Sequence, residues 1–569
     1  MRRQVSQNGL TVNFIAGTHV VFFGIDLAKD QHKEFLGFGF KRHDHVEGEI
    51  PWLRGFKTFE MTEPHPAPGE SFSTQYHPIQ SFQWADYSVK PGREYTYTVA
   101  ALYGTPDQLE PRLQAECTIT TEVETGPTHS AFFNRGSVAT QEYARRFLNK
   151  LPDEAGPGAY DWLSRGLLEA LVAFLGRAGE GWSVRGAVYE FQLPEALAAV
   201  GQADERHADV CILYDDIETY DKNGKPNGPW YANRKAIAKA KIKPLCVGRT
   251  NGKLMHNKFF VLSQGGVPKA VWTGSTNLTV NGVYGHSNLG HIVEDEAVAR
   301  AYLDYWDLLS GDPEVNNDYR AQIIAATPAP PVPWDRESTA VFSPRYHKDL
   351  DSLEWYVRLA DGAKDALFMT FAFGMHKTFK AVYGKDDSVL RMALMEKEGN
   401  PKTLAQDKKD IQAIRNLPNV VLAIGNRIVT NSFDRWLAEL SKIVPAVHIY
   451  WIHTKYLLVD PLGASPVVVT GSANFSEAST DTNDENMVVI KGNKRIADIY
   501  FGEFMRLYTH YAFREAVKWH MEKSKKNTPE TWRPQYLIDS NAWTRPYFDT
   551  ADTSGRYIRR TYFAGPMAV

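Results

Sequence analysis

Along the first 120 or so positions, hydrophobic and polar residues alternate in short bursts. THVVFFGIDL, STQYHPIQSFQWADYSV and REYTYTVAAL are separated by turn-rich stretches, and none carries a helical period. A period of two places every second side chain on one face, so this region is expected to be all-β. Near TTEVETGPTHS the pattern changes. From Ala139 onward, amphipathic helical segments (EYARRFLNKL, SRGLLEALVAFLGRA) alternate with short apolar runs that suit buried strands, which is the α/β signature. The run TPAPPVP, Thr327 to Pro333, cannot sit inside a helix or a central strand and reads as a connector.

The two stretches flanking this connector repeat one another. AFFNRG from Ala131 answers AVFSPR from Ala340, and AVYEFQLPEAL from Ala187 answers LFMTFAFGMHKTF from Leu367. MHNKFFVL…VWTGSTNLT then answers IHTKYLLVD…VVVTGSANFS. Repeats of this size are two homologous halves related by a pseudo-twofold axis. The expected organisation is a β-sandwich over 1–125, a first half over 128–326, a linker over 327–334 and a second half over 335–525. A tail over 526–569 is expected to pack on the halves. Within the β-region, KPGREYTYTVAA resembles the late strand pair of a fibronectin type III module. There a tyrosine, here Tyr95, can brace a corner by hydrogen-bonding the backbone.

Composition narrows the function classes. The 569 residues carry 64 Lys plus Arg against 67 Asp plus Glu, a formal charge of −3. With 43% hydrophobic and 23% charged residues, the chain suits a folded protein and not a disordered one. No apolar run reaches the roughly 18 residues needed to span a bilayer. The N-terminal MRRQVSQNGL lacks the apolar core of a secretory signal, so a cytoplasmic location, or export without a classical signal peptide, is expected. Cys117, Cys211 and Cys246 are too few and too scattered for a disulfide scaffold or a zinc site.

The repeat carries chemistry. His256 and Lys258 are two apart, as are His453 and Lys455. Each pair precedes an apolar strand and then Gly-Ser-x-Asn: Gly274, Ser275 and Asn277 in one half, Gly471, Ser472 and Asn474 in the other. One such pair means nothing; two at matched spacing describe a built site. Two lysines and two amides converging on a tetrahedral anion supply the positioning and charge stabilisation that phosphoryl transfer needs. Two histidines flanking a phosphate suit a double displacement, one attacking phosphorus and the other serving as acid and then base. No metal and no cofactor are expected, since no spacing of His, Asp and Glu suggests a ligand set.

The duplicated H-x-K…G-S-x-N pattern resembles the phospholipase D superfamily over roughly Thr128 to His520. That resemblance implies two pseudo-symmetric α/β halves forming one active site, and a phosphodiesterase working through a covalent phosphohistidine. It implies His256 as nucleophile and His453 as general acid and base. Lys258, Lys455, Asn277 and Asn474, with Ser275 and Ser472, would hold the phosphate. The second copy is the fuller one: Asp460 completes its H-x-K-x(4)-D, and Glu485 in DENMVVI completes its tail as an orienting residue. In the first copy Ser263 stands where that Asp would be, and Ser287, before Asn288, is taken as standing where the Glu would be. The missing Asp leaves the first imidazole in need of another partner, and Glu485 from the opposite half can supply one.

For the substrate, GSTNLT and GSANFS lack the second polar Asn frequent in phospholipid enzymes of the superfamily and resemble its endonuclease-like branch. Between Lys222 and Lys258 stand Lys222, Lys225, Arg234, Lys235, Lys239, Lys241, Lys243, Arg249 and Lys253 with no acidic residue, interleaved with Trp230 and Tyr231. This is the composition of a groove that tracks a nucleic-acid backbone. The preceding YDDIETYD reads as a strand end and exposed loop. A nuclease is therefore expected. A phospholipase D or phosphatidyl transferase acting on phospholipid is the first alternative, and a non-catalytic polyanion-binding protein the second. The β-module is expected to dock a partner or position substrate, and a single chain, carrying both motifs, to act as a monomer.

Overall fold

A computed structural model describes residues 1–67, 70–136, 140–148, 150–327, 336–346, 353–399, 402–425, 452–523 and 536–568. Most of the expected linker (328–334) and the start of the expected tail (526–535) lie outside these residues.

The alternating N-terminal segments form nine strands: β1 (Arg2–Gln7), β2 (Leu10–Ala16), β3 (Val21–Leu27), β4 (Phe35–Asp44), β5 (Arg54–Gly55), β6 (Phe72–Ser73), β7 (Gln83–Asp86), β8 (Glu94–Thr105) and β9 (Gln108–Thr120). They make an antiparallel sheet of order β1-β2-β3-β7, another of order β4-β8-β9, and the short pair β5-β6. The alternation does its work on β8, where Tyr95, Tyr97 and Val99 point inward to Phe23, Ile25, Phe38 and Phe40. The Tyr95 hydroxyl accepts a hydrogen bond from the Lys90 backbone N–H at 2.9 Å, closing the turn before its own strand.

The first half is a seven-stranded sheet of β10 (His129–Phe133), β11 (Trp182–Val188), β12 (Asp209–Asp215), β13 (Cys246–Arg249), β14 (Lys258–Gln264), β15 (Val267–Gly274) and β16 (Leu289–Val293). The second is built from β17 (Ser338–Ser343), β18 (Ala366–Phe371), β19 (Leu390–Met395), β20 (Val420–Ile424), β21 (Tyr456–Val459), β22 (Val467–Gly471) and β23 (Glu485–Lys491). Their orders are β10-β16-β15-β14-β11-β12-β13 and β17-β23-β22-β21-β18-β19-β20, the same topology twice. In each, the last three strands of the order pair parallel and all other neighbours pair antiparallel. The central strands are apolar on both faces because helices cover them. One of these, Glu296–Ser310, is capped by Asp295, whose carboxylate accepts from Ala297 and Val298 N–H.

The motif glycines have a backbone task. Gly274 (φ +146) and Gly471 (φ +159) press against the next strand, where a Cβ would meet the carbonyl oxygens of Leu289 and Asn486 at 2.4 and 2.2 Å. A side chain at either position would force the strands apart.

The β-module is not loosely tethered. Arg2 is buried, its guanidinium bonding Asp498 at 2.7 Å and the carbonyls of Pro461, Leu462 and Ala568. Asp498 lies on the helix Lys494–Lys523, and Phe22 packs edge-on against Phe501 of the same helix. The tail residues 536–568 rest chiefly on the module. Trp543 and Tyr547 enter its core, and Phe563 accepts from Asn13. They reach the second half through Tyr562 against Phe368 and through Ala568 N–H to Leu462. The tail thus straps the module to the second half. Among the described residues no helix is long and apolar enough to cross a membrane.

Candidate active site

The two H-x-K segments meet at the seam between the halves. His256 N–H donates to the Asp484 carbonyl at 2.9 Å, and His453 N–H to the Ser287 carbonyl at 3.2 Å. Each histidine strand is therefore tied to the other half, and each half is incomplete alone. The chain separation that takes His256 to His453 also takes Lys258 to Lys455, Asn277 to Asn474 and Asn288 to Glu485.

A second pair of anchors went unread in the sequence. Met255 N–H donates to the Asp215 carboxylate and Ile452 N–H to Glu396, both at 2.9 Å. Asp215 ends β12 and Glu396 follows β19, at equivalent places in the two sheets. The YDDIETYD segment was expected to be a strand end and exposed loop, but Asp215 is only 1% exposed. The signal available was an acidic residue closing an apolar strand in both halves, ILYD and ALME.

Each imidazole is held by a partner from the opposite half. His256 Nδ1 lies 2.9 Å from Glu485 Oε2, so the carboxylate missing from the first motif arrives from the second. His453 Nδ1 lies 2.8 Å from Asn288 Oδ1. The counterpart of Glu485 is thus Asn288, not Ser287, whose backbone carbonyl accepts from His453 N–H. Asn288 is locked in orientation, its amide nitrogen donating to the Gly282 carbonyl at 2.7 Å while its oxygen also accepts from the Ser275 hydroxyl at 2.8 Å. An amide oxygen can only accept, so His453 Nδ1 carries a proton and Nε2 is the atom left for chemistry. Glu485 imposes the same tautomer on His256.

Three expectations are corrected. Asp460 is not in the site: its carboxylate accepts from the N–H groups of Lys364, Asp365 and Ala366 at the start of β18, at the far end of its strand. Ser263, its first-half counterpart, lies at a register shift in β14 and is equally remote from the chemistry. Ser275 and Ser472 are fully buried, and their hydroxyls serve Asn288, Leu289 and Asn486. They support the residues that hold the histidines and do not face a phosphate. Of the basic run, Arg249 is buried between Asp312 and Asp484, Arg234 pairs with Asp216 and Glu218, and Trp230 is buried. Lys222, Lys225, Lys235, Lys239, Lys241, Lys243 and Lys253 are exposed, as is Tyr231.

The electrostatics suit an anion. Lys258 and Lys455 are buried, each donating to the carbonyl of its own motif histidine. Burial brings Lys258 down to about 8 against the pull of Glu485 and Glu190, and it holds Lys455 well below the usual lysine value with Lys258 adding to the effect. Burial pushes Glu485 up, but His256 and Lys258 outweigh it and keep the carboxyl ionised below the ordinary glutamate range. Burial lowers His256 to about 4, opposed by Glu485 and helped by Lys258. His453 falls well below 6.5 through burial, Lys455 and His286. Both imidazoles are neutral at pH 7 in the empty site, and an anion between the lysines would raise both. Tyr189 lines the same pocket, its ring 4.9 Å from that of His256 and 5.1 Å from Lys258 Nζ. The His286 ring lies tilted against that of His453, centroids 5.5 Å apart. Among the described residues no three His, Cys, Asp or Glu side chains are grouped to hold a metal ion.

These histidines make stability depend on pH. His256 and His129 sit near 4 and His286 near 3, each through burial and each below its unfolded value of 6.5. The unfolded chain takes up protons first, so stability present above pH 6.5 is lost as pH falls toward 4. Thermal melts should show Tm falling by about 3 °C or more between pH 7 and pH 5.

The family model for "Cardiolipin synthase, PLD-like domain" matches residues 171–308 and 406–508, the stretches that carry the two motif sets. No curated protein matches the chain. Among solved structures, the phosphatidylserine synthase of Haemophilus influenzae is 10% identical, with 63% of this chain and 89% of that one covered and a TM-score of 0.42. Nuc of Salmonella typhimurium, a phospholipase D family member, is 22% identical over 25% of this chain and 86% of its own, with a TM-score of 0.20. The polyphosphate kinase of Porphyromonas gingivalis is 13% identical over 58% of this chain, with a TM-score of 0.35; the chain spans 43% of that kinase. Scores this low say nothing of what the chain acts on.

Proposed function

We propose that this chain, which belongs to the phospholipase D superfamily, is a metal-independent phosphodiesterase that cleaves nucleic acid through a covalent phosphohistidine. The observation that carries the reading is the unequal pairing of two otherwise equivalent histidines: His256 with a carboxylate, His453 with an amide.

His256 Nε2 attacks phosphorus, forming a P–N bond, and the P–O bond to the leaving group breaks. His453, protonated on Nε2 once the substrate anion is bound, gives that proton to the departing oxygen. Neutral again, His453 takes a proton from water as the water oxygen attacks phosphorus. The P–N bond then breaks and free His256 returns. Phosphorylation makes the His256 ring cationic, and Glu485 offsets that charge; the His453 ring only shuttles a proton, for which the neutral Asn288 suffices. Lys258, Lys455, Asn277 and Asn474 stabilise the charge on the transferred group.

The choice of nucleic acid is supported by the seven exposed lysines, with Tyr231, on the segment running into His256. We also read the N-terminal unit as fibronectin type III-like, on its strand order and the Tyr95 brace, and as a fixed substrate-positioning wall. The test incubates the protein with single- and double-stranded DNA, RNA and phospholipid vesicles, with and without a chelator. Chelator-insensitive cleavage of nucleic acid is expected. Release of a headgroup or phosphatidate in its place would move the substrate to phospholipid, and inertness toward all of them would leave a polyanion-binding protein.

A further inference from the structure

The two phosphate cradles differ by one charge. Val188 pairs with Lys258 across β11 and β14. Carrying the β18–β21 register on from Met369 and Leu457 sets Phe371 opposite Lys455. Two residues further along each strand end stand Glu190 in the first half and Phe373 in the second. Glu190 is fixed in place. Its carbonyl accepts from Leu278 N–H at 3.1 Å, and flanking Tyr189 and Phe191 are clamped by the Asn233 amide at 2.8 and 2.9 Å. Burial raises its carboxyl, while Lys258 and the Asn277 side chain, both within electrostatic reach, draw it back down, so it faces the pocket that holds the motif lysine. Neither the motif pattern nor the double displacement calls for it.

Resting on the phosphodiesterase reading above, we propose that Glu190 is a charge filter that admits the singly charged diester and expels the doubly charged monoester left after hydrolysis. When ionised, Glu190 joins Glu485 in offsetting the charges of Lys258 and Lys455. A diester brings one negative charge between two lysines. The product gains a second, since its second proton is lost near pH 6, and that charge falls beside Glu190. Repulsion between like charges at this range in a partly buried site is worth a factor of about ten or more in affinity. Phe373 offers no such repulsion, so the filter acts on the first-half side of the phosphate alone. Glu190 is thus a specificity and product-release residue, with no part in bond making.

The experiment measures binding of inorganic phosphate at pH 8 by calorimetry, in the full chain and in Glu190→Gln, Glu190→Ala and Glu190→Asp, alongside product inhibition of diester cleavage. Glu190→Gln and Glu190→Ala should bind phosphate about tenfold or more tightly and show the same gain in product inhibition, while KM for the diester falls less. Glu190→Asp should behave as the parent. Equal binding in all four proteins, or weaker binding in the Gln variant, overturns the filter while leaving the phosphoryl site standing. Absence of phosphate binding in every one of them overturns the phosphodiesterase reading and the filter with it.

Discussion

Alanine in place of His256 should remove diester turnover, with a loss of about 10⁴-fold or more in kcat, because the proposed mechanism gives the phosphoryl group to that imidazole. Lys258 and Lys455 are buried donors already engaged with backbone carbonyls, and His453 faces the seam from the other side. The fold should tolerate the change. The histidine strand is held by backbone hydrogen bonds to Asp484 and Asp215, which alanine at 256 leaves intact. Binding of a non-hydrolysable diester by the variant would show that the pocket survives. Alanine at His453 should cost as much in turnover, because it also removes the base that activates water, but should spare the first, adduct-forming step when the leaving group needs no proton.

Glutamine at Glu485 should lower kcat by about 10²- to 10⁴-fold with little change in KM. The amide can still accept from His256 Nδ1, so the tautomer and ring position persist. It cannot offset the positive ring formed when phosphorus bonds to Nε2. The other histidine already shows that an amide orients an imidazole: Asn288 of the first half does so for His453 of the second. Rates of adduct formation and breakdown measured separately check the prediction, and both should slow, since the charged ring is approached from either side. An unchanged rate would mean that Glu485 is merely structural.

Most of the fold was legible in the sequence because the duplication wrote it twice. The repeat of strand and motif segments required two like sheets, and alternation around Tyr95, Tyr97 and Val99 required a β-sandwich before them. The motif histidines and lysines were equally plain, being fixed by spacing. Asn288 rather than its neighbour Ser287 was legible too, since the offset that relates His256 to His453 also relates Asn288 to Glu485; an amide standing where the other half has a carboxylate hid the match. What escaped was whatever depends on the seam. Asp215 and Glu396 were missed because their partners are backbone N–H groups, which no side-chain pattern reveals. Asp460 belonged to the motif by spacing, yet its carboxylate caps a neighbouring strand. Arg249 and Trp230 entered a predicted surface by composition alone, and burial with acidic or carbonyl partners removed them from it.

The central claim is that His256, and not His453, carries the phosphoryl group. It is tested most directly by mixing His453→Ala with bis(p-nitrophenyl) phosphate, whose leaving group departs without a proton. The account predicts a burst of about one equivalent of nitrophenolate, a stall, and a nitrophenyl-phosphoryl adduct mapping to the peptide that contains His256, with no burst from His256→Ala. A burst of equal size from His256→Ala, or an adduct on His453 in the parent protein, would contradict it.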